Sequence, residues 1–282
     1  FDYVFGGSTP TKEIYSLIIH DIVTAAIEGY NGTILAYGMT GSGKTYSIQG
    51  TDKEPGIISQ AVKNLFNEKI KYPEKLMTLK ASYVEIYNEM FRDLLNAETP
   101  PEEIRLQDLG NGVKLLNVEE IEVDTEEQML ALISRGNGCR RTEGTDFNTH
   151  SSRSHAVLQL TVESVNTSAT LNLCDLAGSE RATSSVERRK EGAYINRSLL
   201  ALGTVVSKLA NASHMLGGSP VHIPYRDSKL TRLLQPALSG NSKVAILCTV
   251  ALGDAFYTET VNTLRFASRA KKIKVNAIKQ EK

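Results

Sequence analysis

Apolar positions along the chain switch between helical and strand spacing, and the alternation predicts a layered α/β domain. Ile14 to Ile27 carries apolar residues at helical spacing. Thr33-Ile34-Leu35-Ala36-Tyr37 is a short apolar run that reads as a buried strand. Leu79 to Tyr87 reads as a second strand, and Asn88 to Leu95 is expected to continue into a helical turn. Ala97 to Glu103 combines prolines with acids and belongs on the surface. Glu119 to Glu127, acidic but interrupted by Ile121 and Val123, predicts a solvated strand edge leading into a helix at Glu126 to Arg135. His155 to Val162 alternates apolar and polar residues, and Thr170 to Cys174 is a further strand ending at Asp175. From Gly192 onward, Ile195, Leu199, Leu202, Val206 and Leu209 recur at helical spacing and predict a long amphipathic helix to about Ala210. Lys243 to Val250 reads as a buried strand and Glu259 to Ala270 as a last helix, followed by a polar, basic tail from Lys271 to Lys282.

Composition narrows the classes. A length of 282 residues allows one large domain or two small ones, and 41% hydrophobic residues are ample for a core. Lys+Arg and Asp+Glu are both 32, so the net charge is +0. That balance argues against a general nucleic-acid binder, though not against a local basic face. Cys139, Cys174 and Cys248 are widely spaced, which fits a reducing compartment and argues against a structural zinc. There is no internal repeat, no apolar run long enough to span a bilayer and no visible signal peptide. The chain starts at Phe1 and not at Met, so it is expected either to begin inside a longer protein or to have lost its start.

The strongest chemical signal is Gly38-Met39-Thr40-Gly41-Ser42-Gly43-Lys44-Thr45, which fits G-x-x-x-x-G-K-[ST] between a predicted strand and a predicted helix. Glycines let backbone N–H groups turn inward around phosphate oxygens, and the helix that follows presents its positive end to the same anion. Lys44 is expected on the β- and γ-phosphates and the Thr45 hydroxyl on Mg²⁺. Asp175, at the end of an apolar strand, has the placement of a metal-directed acid. The run continues as Leu176-Ala177-Gly178-Ser179-Glu180, in which Gly178 is expected to offer an uncovered N–H to a γ-phosphate. In Asn148 to His155, Ser151 and Ser152 supply hydroxyls for Mg²⁺ or phosphate. Arg153 and Glu180 carry opposite charges. Their pairing is either a surface salt bridge worth roughly 0–1 kcal/mol or a latch closing two loops over nucleotide, and their setting favours the latch. His155 is expected to be a strand residue satisfied by the core.

Together these motifs resemble the kinesin motor domain. The resemblance rests on Tyr30-Asn31-Gly32-Thr33-Ile34, on Asn148 to His155 with its Ser151-Ser152-Arg153-Ser154-His155 core, on Asp175 to Glu180, on Tyr225 to Leu234 and on Thr263 to Ala267. It implies a mixed central sheet flanked by helices on both faces, with a first strand lying before Phe1, and an ATP/ADP site with Mg²⁺. Asn148 to His155 becomes switch I and Asp175 to Glu180 switch II. Thr45 and Ser152 ligate Mg²⁺, Asp175 holds it through water, Arg153 pairs with Glu180, and Tyr46 lies beside adenine. The head spans 1–270, and 271–282 begins the neck linker.

The resemblance also implies a microtubule partner. The basic residues Arg226, Lys229 and Arg232, spaced three apart, and Arg188, Arg189 and Lys190, just before the helix predicted from Gly192, suit an acidic track. Read without the resemblance, they are solvated surface charges. Glu187 to Gly192, Ser207 to Ala210 and Phe266 to Lys272 look like the kinesin-7 class. That class implies plus-end movement on cytoplasmic or spindle microtubules. A homodimer through a coiled coil outside these residues is expected, with no nucleic acid and no membrane insertion. A signalling GTPase is disfavoured because no Asn-Lys-x-Asp motif is present. A transport ATPase is disfavoured because Leu238 to Ser242 only grazes the required signature. An inert microtubule-binding module is disfavoured by the intact Lys44, Thr45, Ser152, Asp175 and Glu180.

Overall fold

The computed structural model describes residues 1–109, 112–142, 152–180, 186–212 and 221–282, with the backbone alone for 141–142 and 186–196. In chain order, α1 (Thr11–Ile14), a π-helical turn (Tyr15–Ile19) and α2 (His20–Ile27) lead to β1 (Gly32–Gly38), α3 (Lys44–Gln49) and α4 (Ile57–Lys71). Then come β2 (Thr78–Tyr87), β3 (Met90–Asp93), β4 (Arg105–Leu109), β5 (Gly112–Leu116) and β6 (Ile121–Val123). The second half holds α5 (Glu126–Thr142), β7 (His155–Glu163), β8 (Ser168–Asp175), α6 (Val186–Ala212), α7 (Lys229–Leu233), α8 (Gln235–Leu238), β9 (Lys243–Thr249) and α9 (Tyr257–Ala270).

The main sheet runs β3-β2-β7-β8-β1-β9, with β6 also on β2. β1 lies parallel to β8 and β9, while β7 is antiparallel to β2 and β8, so the sheet is mixed as expected. Successive strand residues point to opposite faces. Ile34, Ala36, Leu158, Leu160, Leu171 and Leu173 therefore join one core under α2, α4 and α5. Leu35, Val157 and Cys174 join a second core with Leu202, Val206, Leu230, Leu233 and Phe266, beneath α6, α7 and α9. The parallel trio β8-β1-β9 places the carboxyl ends of β1 and β8 side by side, where a ligand site belongs in such sheets.

Three elements depart from the expected pattern. Asn88 to Leu95 is a hairpin, not a helical turn. Asn88 and Glu89 adopt φ of 50° and 59°, and Tyr87 pairs with Met90 across a two-residue loop. Positive φ at both central positions is the geometry that reverses a strand tightly. The predicted buried strand at Lys243 to Val250 is β9, of which Ala245 alone is fully buried. It is an edge strand, paired only with β1 among the described residues. The helix expected from Gly192 already begins at Val186, so Arg188, Arg189 and Lys190 lie within it.

The tail folds back on the head. The N–H groups of Asn276, Ile278, Gln280 and Lys282 donate to the carbonyls of Gly240, Asn241, Gly29 and Asn166 at 2.8, 3.3, 2.8 and 3.0 Å. Tyr30 bridges Lys279 and Thr167 bridges Glu281, both antiparallel. Glu163 receives Lys282 at 3.0 Å as well as Lys80 at 2.9 Å, and Lys271 pairs with Asp2. The sequence shows only a polar strip there, because backbone pairing with turns leaves no side-chain pattern.

Candidate nucleotide site

The phosphate loop leaves β1 and enters α3 as its motif requires. Gly43 sits at φ 104°, a left-handed conformation open to glycine, and turns the chain so that Lys44 starts the helix. Lys44 is 7% exposed, and its ammonium donates to the Met39 carbonyl at 2.8 Å. Burial lowers its pKa, against the opposing pull of Asp175 and Glu180. A buried ammonium turned onto the loop's own carbonyl is placed to exchange that neutral acceptor for an anion. On the outer side, the exposed Tyr46 donates its hydroxyl to Glu54, whose other oxygen takes the Thr11 N–H at 3.0 Å. The ring beside the expected adenine position is thereby fixed.

Asp175 ends β8 beneath the loop. Its Oδ2 accepts the Thr45 hydroxyl at 2.8 Å and an Arg140 N–H at 3.0 Å. Its Oδ1 is buried with no hydrogen-bond partner among the described residues. An orphaned carboxylate oxygen beside a threonine hydroxyl fits the oxygen-rich, water-completed surroundings of Mg²⁺.

The segment after Asp175 packs against the loop. The Ser179 N–H donates to the Gly38 carbonyl at 3.0 Å. Glu180 takes the Thr40 N–H on Oε2 at 2.8 Å and the Thr40 hydroxyl on Oε1. Both oxygens of the expected latch carboxylate are thus engaged by the phosphate loop. Gly178 lies so close that a Cβ there would stand 2.3 Å from the Thr40 hydroxyl oxygen, so a side chain at this position would displace Thr40 and Glu180 from each other. Its N–H was expected uncovered; instead it donates to the Ser152 carbonyl at 2.8 Å, joining directly the two segments expected to be the switches. Ser152 and Arg153 stand at the turn before β7, while Ser151 and Asn148 to His150 lie outside the described residues. His155 is 2% exposed and satisfied by its neighbours, in line with the bland expectation.

Arg140 is the site residue that the sequence reading missed. It lies near the end of α5, 4% exposed, and also donates to the Ser154 carbonyl at 3.1 Å. Its Nε stands 3.5 Å from Glu85, itself 1% exposed and 3.6 Å from Arg92. A signal was available: Glu85 interrupts the apolar run Tyr83-Val84-Glu85-Ile86-Tyr87, and a lone acid inside a central strand demands a buried cation.

The proposed track residues lie on another surface. Arg226 sits in a 3-10 turn (Tyr225–Asp227), and Lys229 and Arg232 in α7. Arg226 and Arg232 both reach Asp108 of β4, at 3.1 and 3.3 Å. The Lys229 ammonium lies 5.6 Å from the centre of the Phe91 ring. The side chains of Arg188, Arg189 and Lys190 lie outside the described set.

A family model described as the kinesin motor domain matches residues 1–273. The chain belongs to that family. It is 46% identical to the kinesin-like protein KIP2 of Eremothecium gossypii, covering 100% of this chain and 45% of the relative. It is 45% identical to kinesin-like protein tea2 of Schizosaccharomyces pombe, over 97% of this chain and 45% of tea2. It is also 45% identical to the chloroplastic kinesin-like protein KIN-7D of Oryza sativa, over 98% of this chain and 28% of that protein. The chain therefore spans less than half the length of these curated relatives. Among solved structures, a KIF14 dimer in a two-heads-bound state, with AMP-PNP and in complex with a microtubule, superposes with a TM-score of 0.86 at 35% identity. That match covers 100% of this chain and 82% of the other.

Proposed function

We propose that this kinesin head is an ATP-hydrolysing microtubule motor in which the state of the phosphate loop is coupled to track affinity through α6. One observation carries the reading: switch II bonds at once to the phosphate loop, through Ser179–Gly38 and Glu180–Thr40, and to switch I, through Gly178–Ser152. An event at the outer phosphate cannot leave either contact untouched. The Gly178 N–H has to leave Ser152 before it can serve a γ-phosphate, and Glu180 has to release Thr40 before it can act on an attacking water.

The phosphates take the backbone N–H groups from Gly38 to Thr45 and the Lys44 ammonium, with adenine against Tyr46. Thr45, Ser152 and Asp175 would hold Mg²⁺, which would neutralise charge on the phosphates. Ser151 and Arg153 complete the switch I side. Arg188, Arg189, Lys190, Arg226, Lys229 and Arg232 meet the acidic track, as the microtubule bound by the KIF14 relative supports. Residues 1–270 form the head and 271–282 a neck linker in its docked arrangement, which the antiparallel bridges of the tail support. Kinship with a KIN-7 protein and with tea2 and KIP2 supports a kinesin-7 assignment, plus-end movement and work on cytoplasmic or spindle microtubules. Dimerisation is assigned to a coiled coil beyond this chain.

Steady-state ATPase with and without microtubules tests the reading. Turnover is expected to rise strongly with polymer and to fall again as salt rises. Glu180→Ala is expected to stall hydrolysis while retaining ATP binding. Equal rates with and without polymer would leave a nucleotide hydrolase and remove the motor.

A further inference from the structure

His155 opens β7 immediately after Ser152 to Ser154, and its ring contacts two other segments, Ala177 beyond β8 and Ser198 on α6. Nδ1 accepts the Ala177 N–H at 3.0 Å. That nitrogen therefore carries no proton, and the neutral ring is protonated on Nε2. Nε2 stands 2.8 Å from the hydroxyl of Ser198 on α6, to which it donates. His155 and Ser198 are each 2% exposed, so water does not compete for these bonds. Burial, reinforced by the cations of Arg140 and Lys44, holds the imidazole pKa down to about 3, and the ring stays neutral.

The next amide along, that of Gly178, donates to the Ser152 carbonyl. Adjacent amides of switch II thus grip the two ends of the 152–155 segment. A shift of the Gly178 amide carries the Ala177 amide with it. Between Nδ1 and Nε2 the imidazole has no rotatable bond, so a shift at Ala177 that carries the ring with it reaches Ser198. A lost buried acceptor leaves its donor unsatisfied, which makes the three groups favour moving as one.

We propose that His155 is a positioning residue whose ring couples switch II to α6, a second link beside the covalent connection through residues 181–185. It rests on the motor reading above and adds a side-chain path by which nucleotide state sets the track affinity of α6.

The experiment measures, in the full-length protein, the dissociation constant for stabilised microtubules with AMP-PNP and with ADP, and compares their ratio between variants. Ser198→Ala is expected to leave basal ATPase unchanged and to reduce the ratio at least threefold. His155→Asn keeps an acceptor near the Nδ1 position but cannot reach Ser198, and is expected to reduce the ratio equally. The double variant is expected to lose no more than either single one. Ser198→Thr, which keeps the hydroxyl, is expected to retain the parent ratio. A smaller change in Ser198→Ala, additive losses in the double variant, or a threonine variant as impaired as the alanine one would each overturn the proposal. A parent protein with no nucleotide-dependent microtubule binding would instead overturn the motor reading on which it rests.

Discussion

Two arginine–aspartate pairs of nearly equal length occupy opposite environments in this molecule. Arg140 meets Asp175 at 3.0 Å beneath the phosphate loop, with side chains 4% and 3% exposed. Arg226 meets Asp108 at 3.1 Å on the outer surface, with side chains 80% and 45% exposed. The bond chemistry is the same and the surroundings are not. Around Arg140, Glu85 on β2, Ser154 just before β7 and Asp175 at the end of β8 fix the guanidinium, and the ions have surrendered their water. Around Arg226, solvent competes with the carboxylate and the pair is free to exchange partners. A buried pair holds a mechanism's parts in register; an exposed one can be traded for a partner's surface.

The largest expected effect tests the buried member. Arg140→Met leaves the buried carboxylates of Asp175 and Glu85 each one cation poorer, and breaking such a pair costs about 3–5 kcal/mol. Urea denaturation should show that loss, whereas Arg226→Met is expected to change stability by less than about 1 kcal/mol. Comparable losses would mean that burial does not separate the two pairs. Next comes Lys44→Ala, which removes the buried ammonium of the same region. Removing one preorganised electrostatic contact of this kind costs on the order of 10²–10³ in turnover. Phosphate release within tenfold of the parent would place the chemistry elsewhere.

This contrast also explains what could be read in advance. That the G-x-x-x-x-G-K-T loop, Asp175 and Glu180 lie together was legible because phosphate chemistry demands particular residues at fixed local spacing. The two-sided sheet was legible because β1, β7 and β8 alternate or run apolar in short segments. Arg140 was not, since its partners Glu85, Ser154 and Asp175 come from three different strands or their ends and meet only after folding. The hairpin at Asn88–Glu89 was not either, because neither residue is the glycine that usually announces positive φ. The engaged amide of Gly178 was beyond reach for a different reason: a backbone N–H has no side-chain signature.

A smaller effect titrates the buried region. His155 is held at a pKa of about 3 in the fold, against 6.5 as the ordinary value. Below about pH 6.5 the unfolded chain binds a proton that the folded ring refuses, so stability falls as pH falls. From about pH 6.5 to about pH 5 the loss is about 2 kcal/mol relative to His155→Asn, which has nothing to titrate there. Parallel stability profiles for the two proteins would show that the ring is reached by water.

The smallest change in stability belongs to the exposed pair, and there the functional sign carries the information. Asp108 sits between Arg226 and Arg232 and offsets their charge on the surface assigned to the track. Asp108→Asn keeps the side chain's size, removes one negative charge and is expected to alter stability by less than about 1 kcal/mol. If the arginines face an acidic polymer, freeing them should raise microtubule affinity a few-fold, mostly through faster association, and the gain should vanish at high salt. An affinity that drops instead would mean that Asp108 holds Arg226 and Arg232 in the geometry the track requires. The exposed pair would then be a fixed part of the interface, and the distinction between buried and exposed pairs would fail where it is most useful.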